Sequence, residues 1–248
     1  MFVINFDLKH SRKKAYFIIV ILLLLVAMTV KGISKDIINY ISAYEDVKDK
    51  GTITIILDPG HGGEDSGAIG TNGVYEKDLN LLISNTIGEL LKANGYKVIY
   101  TRTEDKMLYT KDQDIKGIRK ISDLRNRCKI ANENIDALFI SIHMNSYSEE
   151  KYKGLQVYYS VGNEKSKKLA EHIQSSVKDS LQKDNNRKIK EGKGLYLLEH
   201  IKSTGVLIEC GFLSNIQEAK KLSEKEYQKQ LSFSIICGII EYIEDQIQ

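Results

Sequence analysis

The stretch that most constrains this chain is residues 52–67, TITIILDPGHGGEDSG. A run of β-branched and aliphatic residues, Thr52 to Leu57, passes without a break into a glycine-dense turn holding one histidine, His61. The chain's only proline, Pro59, stands two residues before that histidine. Proline fixes φ, and glycine opens backbone conformations closed to other residues. The pattern predicts a buried strand whose end carries a shaped loop, with an imidazole presented from it. Six of the eighteen glycines fall between Gly60 and Gly73, so they mark one place and not a general richness in loops.

Periodicity extends this start into a fold. A helical spacing of Leu79, Leu82, Ile83, Thr86 and Leu90 runs over Asp78 to Asn94, and Asn94-Gly95 is a stop. Tyr96 to Thr101 reads as a strand and Ile121 to Asn134 as a helix with Leu124, Cys128 and Ala131 on one face. Ala137 to Ile142 and Leu155 to Ser160 read as strands. Glu164 to Lys183 is an amphipathic helix on Leu169, Ile173, Val177 and Leu181. After a lysine-rich loop, Leu195 to Leu198 and Val206 to Glu209 read as short strands, and Glu224 to Ile243 as the closing helix. Strands alternating with helices predict a single α/β domain over residues 51–248, its sheet covered by helices on both faces. No repeat of fixed period is present.

The amino terminus has a different texture. Lys9, Arg12, Lys13 and Lys14 precede Ala15 to Val30, which is apolar except for Thr29. As a helix this run would span about 24 Å, close to what a membrane requires once flanking side chains snorkel. Residues 1–30 therefore read as a signal anchor, or as a signal peptide if they are cleaved, and residues 31–50 as a polar stalk. Either reading sends the remainder of the chain out of the cytoplasm.

Composition excludes several classes. A net charge of +3 with scattered lysines gives no basic stripe for nucleic acid. Cys128, Cys210 and Cys237 are odd in number and lack C-x-x-C spacing, so they read as small buried hydrophobes. The glycine loop is followed by no Gly-Lys-Ser/Thr, which removes a phosphate-binding reading.

Chemistry concentrates on two histidines and a few carboxylates. His61 lies on the glycine loop, and His143 directly follows the apolar strand ending at Ile142. Ligands of open α/β sheets bind at the carboxyl ends of the strands, and two histidines so placed can meet at one edge of the sheet. His10 belongs to the leader, and His172 and His200 read as surface residues. Two imidazoles make a partial zinc site, and a catalytic zinc takes a third protein ligand. Glu76, just before the helix expected from Asp78, is a candidate; Asp58, Glu64, Asp65 and Asp78 compete, and spacing does not choose among them. Glu209 ends a buried strand pattern, where a charge is costly unless paired, and reads as a general base or as a salt-bridged strand end.

In order along the chain stand Leu-Asp-Pro-Gly-His61-Gly-Gly-x-Asp65-x-Gly-Ala, Glu76-Lys-Asp78, Thr101-Arg102, Leu124-x-x-Arg127 with Ala131-Asn132, Phe139-Ile-Ser-Ile-His143-x-Asn145 and Leu207-Ile-Glu209-x-Gly-Phe-Leu-Ser-Asn215. This series resembles the zinc-dependent N-acetylmuramoyl-L-alanine amidases of bacterial cell walls, the type-3 amidase family, from about Ile53 to Ile243. The resemblance implies an α/β sandwich around a mixed sheet, Zn2+ as cofactor, His61, Glu76 and His143 as metal ligands, and Glu209 as the catalytic carboxylate. Asp65 and Asn145 would then be partners of the ligand imidazoles. The implied reaction is hydrolysis of the amide between N-acetylmuramic acid and L-alanine, with peptidoglycan as substrate. The short build and the stretch Lys120 to Arg127 look most like the germination-specific amidases of spore formers, which points to cortex maturation and muramic lactam formation. One departure is Ser203-Thr204-Gly205, where the family often has proline before the glutamate strand; it bears on loop shape and not on the ligands.

The same site would serve a zinc peptidase or deacylase acting on another wall bond, and a peptidoglycan-binding module without catalysis is a third class. The sequence is compatible with an accessory envelope protein or a homodimer completing the site. The basic loop Lys183, Arg187, Lys188, Lys190 and Lys193 reads as a solvated charge run, with contact to stem-peptide carboxylates as the alternative.

Overall fold

A computed structural model describes residues 53–247. The expected membrane segment and stalk lie outside the described residues, among which no helix is long and apolar enough to cross a membrane.

Strand β1 (Thr54–Pro59) is buried along almost its whole length. Such a run fits a central strand covered on both faces, where apolar side chains need not alternate with polar ones. Helix α1 (Glu76–Ala93) follows the glycine loop, then β2 (Lys97–Tyr100), α2 (Arg119–Glu133), β3 (Leu138–Asn145), β4 (Gln156–Tyr159), α3 (Glu164–Ser180) and β5 (Lys190–Glu191). Helix α4 (Tyr196–His200), β6 (Thr204–Phe212), α5 (Ile216–Leu222) and α6 (Lys225–Ile247) complete the domain. The six strands form one sheet in the order β2-β1-β3-β6-β4-β5. β1 is parallel to β2 and β3, and β3 to β6, while β4 is antiparallel to β6 and parallel to β5. The sheet is therefore mixed, with its carboxyl strand ends gathered at β1, β3 and β6.

Strand parity divides the interior. Ile55, Leu57, Ile140, Ile142, Val206 and Ile208 face a large core closed by α1, α3, α5 and α6. Ile56, Phe139 and Leu207 point the other way, against Cys128 and Ala131 of α2 and Leu197 and Leu198 of α4. This second cluster is the smaller one. Further along the same face, the strands carry Asp58, Ser141, His143 and Glu209 in place of apolar side chains.

The structure differs from the sequence expectation at four places. Leu195 to Leu198, expected as a strand, is mostly the short helix α4, because four apolar residues carry too little periodicity to separate the two. His143 and Asn145 lie within β3, not past its end. The lysine-rich loop contains β5, and α5 separates β6 from the last helix. Cys128 and Cys210 are buried as expected, whereas Cys237 is half-buried.

Candidate active site

The glycine loop is clamped from beneath by two buried arginines. Arg102 Nε donates to the Pro59 carbonyl at 2.9 Å, and one terminal nitrogen donates to the carbonyls of Gly60 at 2.9 Å and Lys77 at 2.8 Å. Arg127 donates to the carbonyls of Pro59 and His61, each at 2.8 Å, and to Asp58 Oδ1 at 2.6 Å. Asp58 also accepts from Thr101 Oγ1 and Ser141 Oγ, both at 2.6 Å, and Arg127 Nε pairs with Asp123 at 2.7 Å. Burial alone would raise the Asp58 pKa, but Arg127, Ser141 and Thr101 hold it below the ordinary carboxylate range. Arg102 and Arg127 were visible in the sequence only as motif residues, with no role. Their signal was that both are cations set beside apolar segments.

The clamp fixes the loop in a demanding shape. His61 has φ +60°, the only positive value outside glycine among the described residues. A left-handed conformation costs a residue with a Cβ roughly 1–2 kcal/mol, so the surrounding hydrogen bonds must hold it there. Two glycines are required by proximity. A Cβ on Gly60 would fall 2.2 Å from the His143 ring. A Cβ on Gly67, itself at φ +62°, would fall 2.5 Å from Glu76 Oε2 and 2.7 Å from the His61 ring.

His61, Glu76 and His143 converge in this frame. Glu76 Oε1 lies 3.1 Å from His61 Nε2 and 3.0 Å from His143 Nδ1, and the rings meet edge-on with centroids 4.9 Å apart. One ligand atom from each residue lies within 4.8 Å of the others, a grouping able to hold a metal ion. Glu76 is the first residue of α1 and is 4% exposed. Its Oε2 accepts the Ala68 amide at 2.8 Å, and its Oε1 accepts the Met144 amide at 3.1 Å and Asn80 Nδ2 at 3.4 Å. These donors aim the carboxylate at the gap between the rings. Two imidazole nitrogens and a carboxylate oxygen packed this closely repel one another unless a proton or a cation lies between them. Burial disfavours charge on His61, but Asp65 and Glu76 outweigh it and push its pKa up to about 9. Burial likewise disfavours charge on Glu76, and His143 and His61 pull its pKa well below the usual range. Nitrogen and oxygen donors of this kind suit zinc.

The other carboxylates separate clearly. Asp65 Oδ2 lies 2.9 Å from His61 Nδ1 and 3.2 Å from Lys120 Nζ. Glu64 pairs with Arg119, Asp78 is exposed, and Asp58 is used by the arginine clamp. Asn145 does not sit against either imidazole ring through a side-chain hydrogen bond; it lines a neighbouring cavity with Gln156 and Phe212. His200 is exposed and His172 half-buried.

Glu209 stands next to His143, its partner in the β3–β6 register. The side chain is half-buried, but Oε2 is wholly out of solvent and has no hydrogen-bond partner. Burial raises its pKa to about 7, with Glu76 adding to the rise and His143 and His61 opposing it. The salt-bridged strand end is thereby corrected: no cation pairs with Glu209 among the described residues. A carboxylate near 7, unpartnered and beside a potential metal centre, can exchange a proton with water at neutral pH.

Residues 55–241 match the N-acetylmuramoyl-L-alanine amidase family. The chain belongs to that family. It is thus an amide hydrolase of bacterial peptidoglycan. The germination-specific N-acetylmuramoyl-L-alanine amidase of Bacillus subtilis strain 168 is 38% identical over 77% of this chain and 80% of its own length. The CwlD amidase from Clostridioides difficile, solved in complex with the GerS lipoprotein, is 38% identical with a TM-score of 0.75, covering 78% of this chain and 99% of that one. An N-acetylmuramoyl-L-alanine amidase from Clostridium difficile 630 is 30% identical with a TM-score of 0.68, covering 78% of this amidase and 98% of its own chain.

Proposed function

We propose that the protein is a zinc-dependent amidase that cuts the bond between N-acetylmuramic acid and L-alanine, using His61, Glu76 and His143 to hold the ion and Glu209 as the proton carrier. The observation that carries this reading is the convergence of two imidazoles and a buried carboxylate beside an unpartnered Glu209. When bound, zinc supplies a Lewis acid that polarises a carbonyl and lowers the pKa of water. Asp65 orients His61 so that Nε2 faces Glu76 and the open side of the site. Glu209 takes a proton from the attacking water at Oε2 and returns it to the leaving L-alanine nitrogen, which would otherwise depart as an unstable amide anion. The buried Asp58–Arg127 pair acts only through the loop it holds.

Residues 1–30 anchor the enzyme or direct its export, residues 31–50 form a stalk, and residues 51–248 act outside the cytoplasm on spore cortex, in the steps that lead to muramic lactam. The similarity to a germination-specific amidase supports the cortex assignment. An accessory envelope protein is a partner consistent with the lipoprotein complex of the C. difficile relative. The test is digestion of purified muropeptides by the full chain, with zinc and with a chelator, reading the new ends by mass. Zinc-dependent release of peptide with free amino-terminal alanine is expected. Cleavage at another bond would favour the peptidase or deacylase class, and zinc binding without cleavage a binding module.

A further inference from the structure

A second cavity lies on the same face of the sheet as Glu209. It has a volume of about 230 Å3 and is lined by Asn145, Gln156, Tyr158, Phe212, Arg187 and Lys190, with two further tyrosines. Gln156 is paired with Glu209 across β4 and β6, and Tyr158 with Leu207, so this lining starts one strand from the catalytic carboxylate, about 5 Å away. Lys190 continues the row by pairing with Tyr158. Two cations line this space and no acidic side chain does.

Arg187 is held in an unusual way. Its Nε donates to the Lys153 carbonyl at 2.8 Å and Nη1 to Gln156 Oε1 at 3.1 Å, and its guanidinium lies 4.4 Å from the Phe212 ring centroid. Both hydrogen bonds go to neutral acceptors. The acid that influences it electrostatically, Glu218, spends its oxygens on the amides of Gly154 and Phe212. A guanidinium fixed by packing and neutral acceptors, with neither of these hydrogen bonds made to a carboxylate, is prepared to receive an anion.

Direction decides which anion. Glu209 delivers its proton to the leaving nitrogen, so the departing peptide lies on the Glu209 side of the site. His61 and Glu76 occupy the opposite side, on the β1 loop and α1. From Glu209 the next strand is β4, and Arg187 touches its first residue. We propose that Arg187, assisted by Lys190, binds a carboxylate of the departing peptide, that of the residue following L-alanine, and so makes this amidase selective for acidic peptides over amidated ones. This rests on the amidase reading above.

The experiment compares two disaccharide tetrapeptides with the full chain loaded with zinc, one with D-glutamate and one with D-isoglutamine at the second position. They differ only in whether that carboxyl is free or amidated. The free acid should be preferred by about 10- to 100-fold in kcat/KM, mainly through KM, as expected for one charge-assisted contact. Arg187→Met should bring the preference near unity, and Arg187→Lys should leave an intermediate one. Equal wild-type rates on the two substrates would overturn the proposal, as would a wild-type preference that survives in both variants. If Arg187→Met does not fold, as judged by its melting curve, an unchanged preference in Arg187→Lys is the overturning result. Failure to cleave either substrate would count against the amidase reading itself.

Discussion

At the scale of single residues, the site is built by removing alternatives from each group. Glu76 has every other direction satisfied by Ala68, Asn80 and Met144, so its free capacity points between the two imidazoles. Glu209 is the reverse, with one oxygen satisfied by nothing. Glu209→Gln should therefore keep the metal, measured by zinc content, and lose about 10²–10⁴-fold in turnover. His61→Ala should lose both zinc and activity. The pH behaviour has a defined sign. A carboxyl raised from 4.5 to about 7 on folding contributes stability that is full below pH 4.5 and is lost as pH rises through about 7. After chelation, Glu209→Gln should melt above the wild type at pH 8 and should lose that advantage at pH 4. With zinc present, the added positive charge should move the acid limb of kcat/KM below 7. Two of these residues, His61 and His143, stood out in the sequence from position alone. Glu76 did not, because a carboxylate at a helix start is also what the helix dipole favours, and only the family resemblance separated it from Asp58 and Asp65.

At the scale of elements, the strands and helices that carry a long period were legible, and the short ones were not. Helix α3 announced itself through Leu169, Ile173 and Val177, which are all buried. Helix α4 was mistaken for a strand because its identity depends on where Leu197 and Leu198 pack, against Phe139 and Leu207, and not on any local pattern. Helix α5 carries a signal in the sequence: Asn215 caps it by accepting the amides of Gln217 and Glu218, each at 3.0 Å. Asn215→Ala should cost about 1 kcal/mol in chemical denaturation, the usual value of such a cap. Within Ser203-Thr204-Gly205, the Gly205 amide donates to Ser166 Oγ at 2.9 Å and ties the start of β6 to α3. The arginine clamp belongs to this scale too, since it ties β1, β3, α2 and the loop together. Arg127→Met would leave Asp58 buried without its counter-charge, and should destabilise by about 3–5 kcal/mol on denaturant titration.

At the scale of the whole molecule, four groups spread from residue 61 to residue 209 meet because a mixed sheet brings β1, β3 and β6 side by side with their ends aligned. The apolar framework is built from residues other than these four. The large core over α1, α3, α5 and α6 is closed by buried aliphatic side chains, while the face bearing the site has only the smaller cluster beneath it. Ion binding should therefore govern the loop more than the fold. An ion that binds only the native state stabilises by RT ln(1 + [L]/Kd), about 2.7 kcal/mol at a hundredfold excess over Kd, so zinc should raise the melting temperature and a chelator should lower it. The effect should be unequal along the chain. Hydrogen exchange after chelation should quicken first at residues 60–68 and at the start of α1, where the Ala68 amide depends on Glu76 Oε2. Amides of Leu231 to Ile239 in α6, which packs on α3 across the far side of the sheet, should keep their protection. Uniform loss of protection through α6 would mean that the metal site and the core unfold as one unit, and that the loop is not the separately governed element described here.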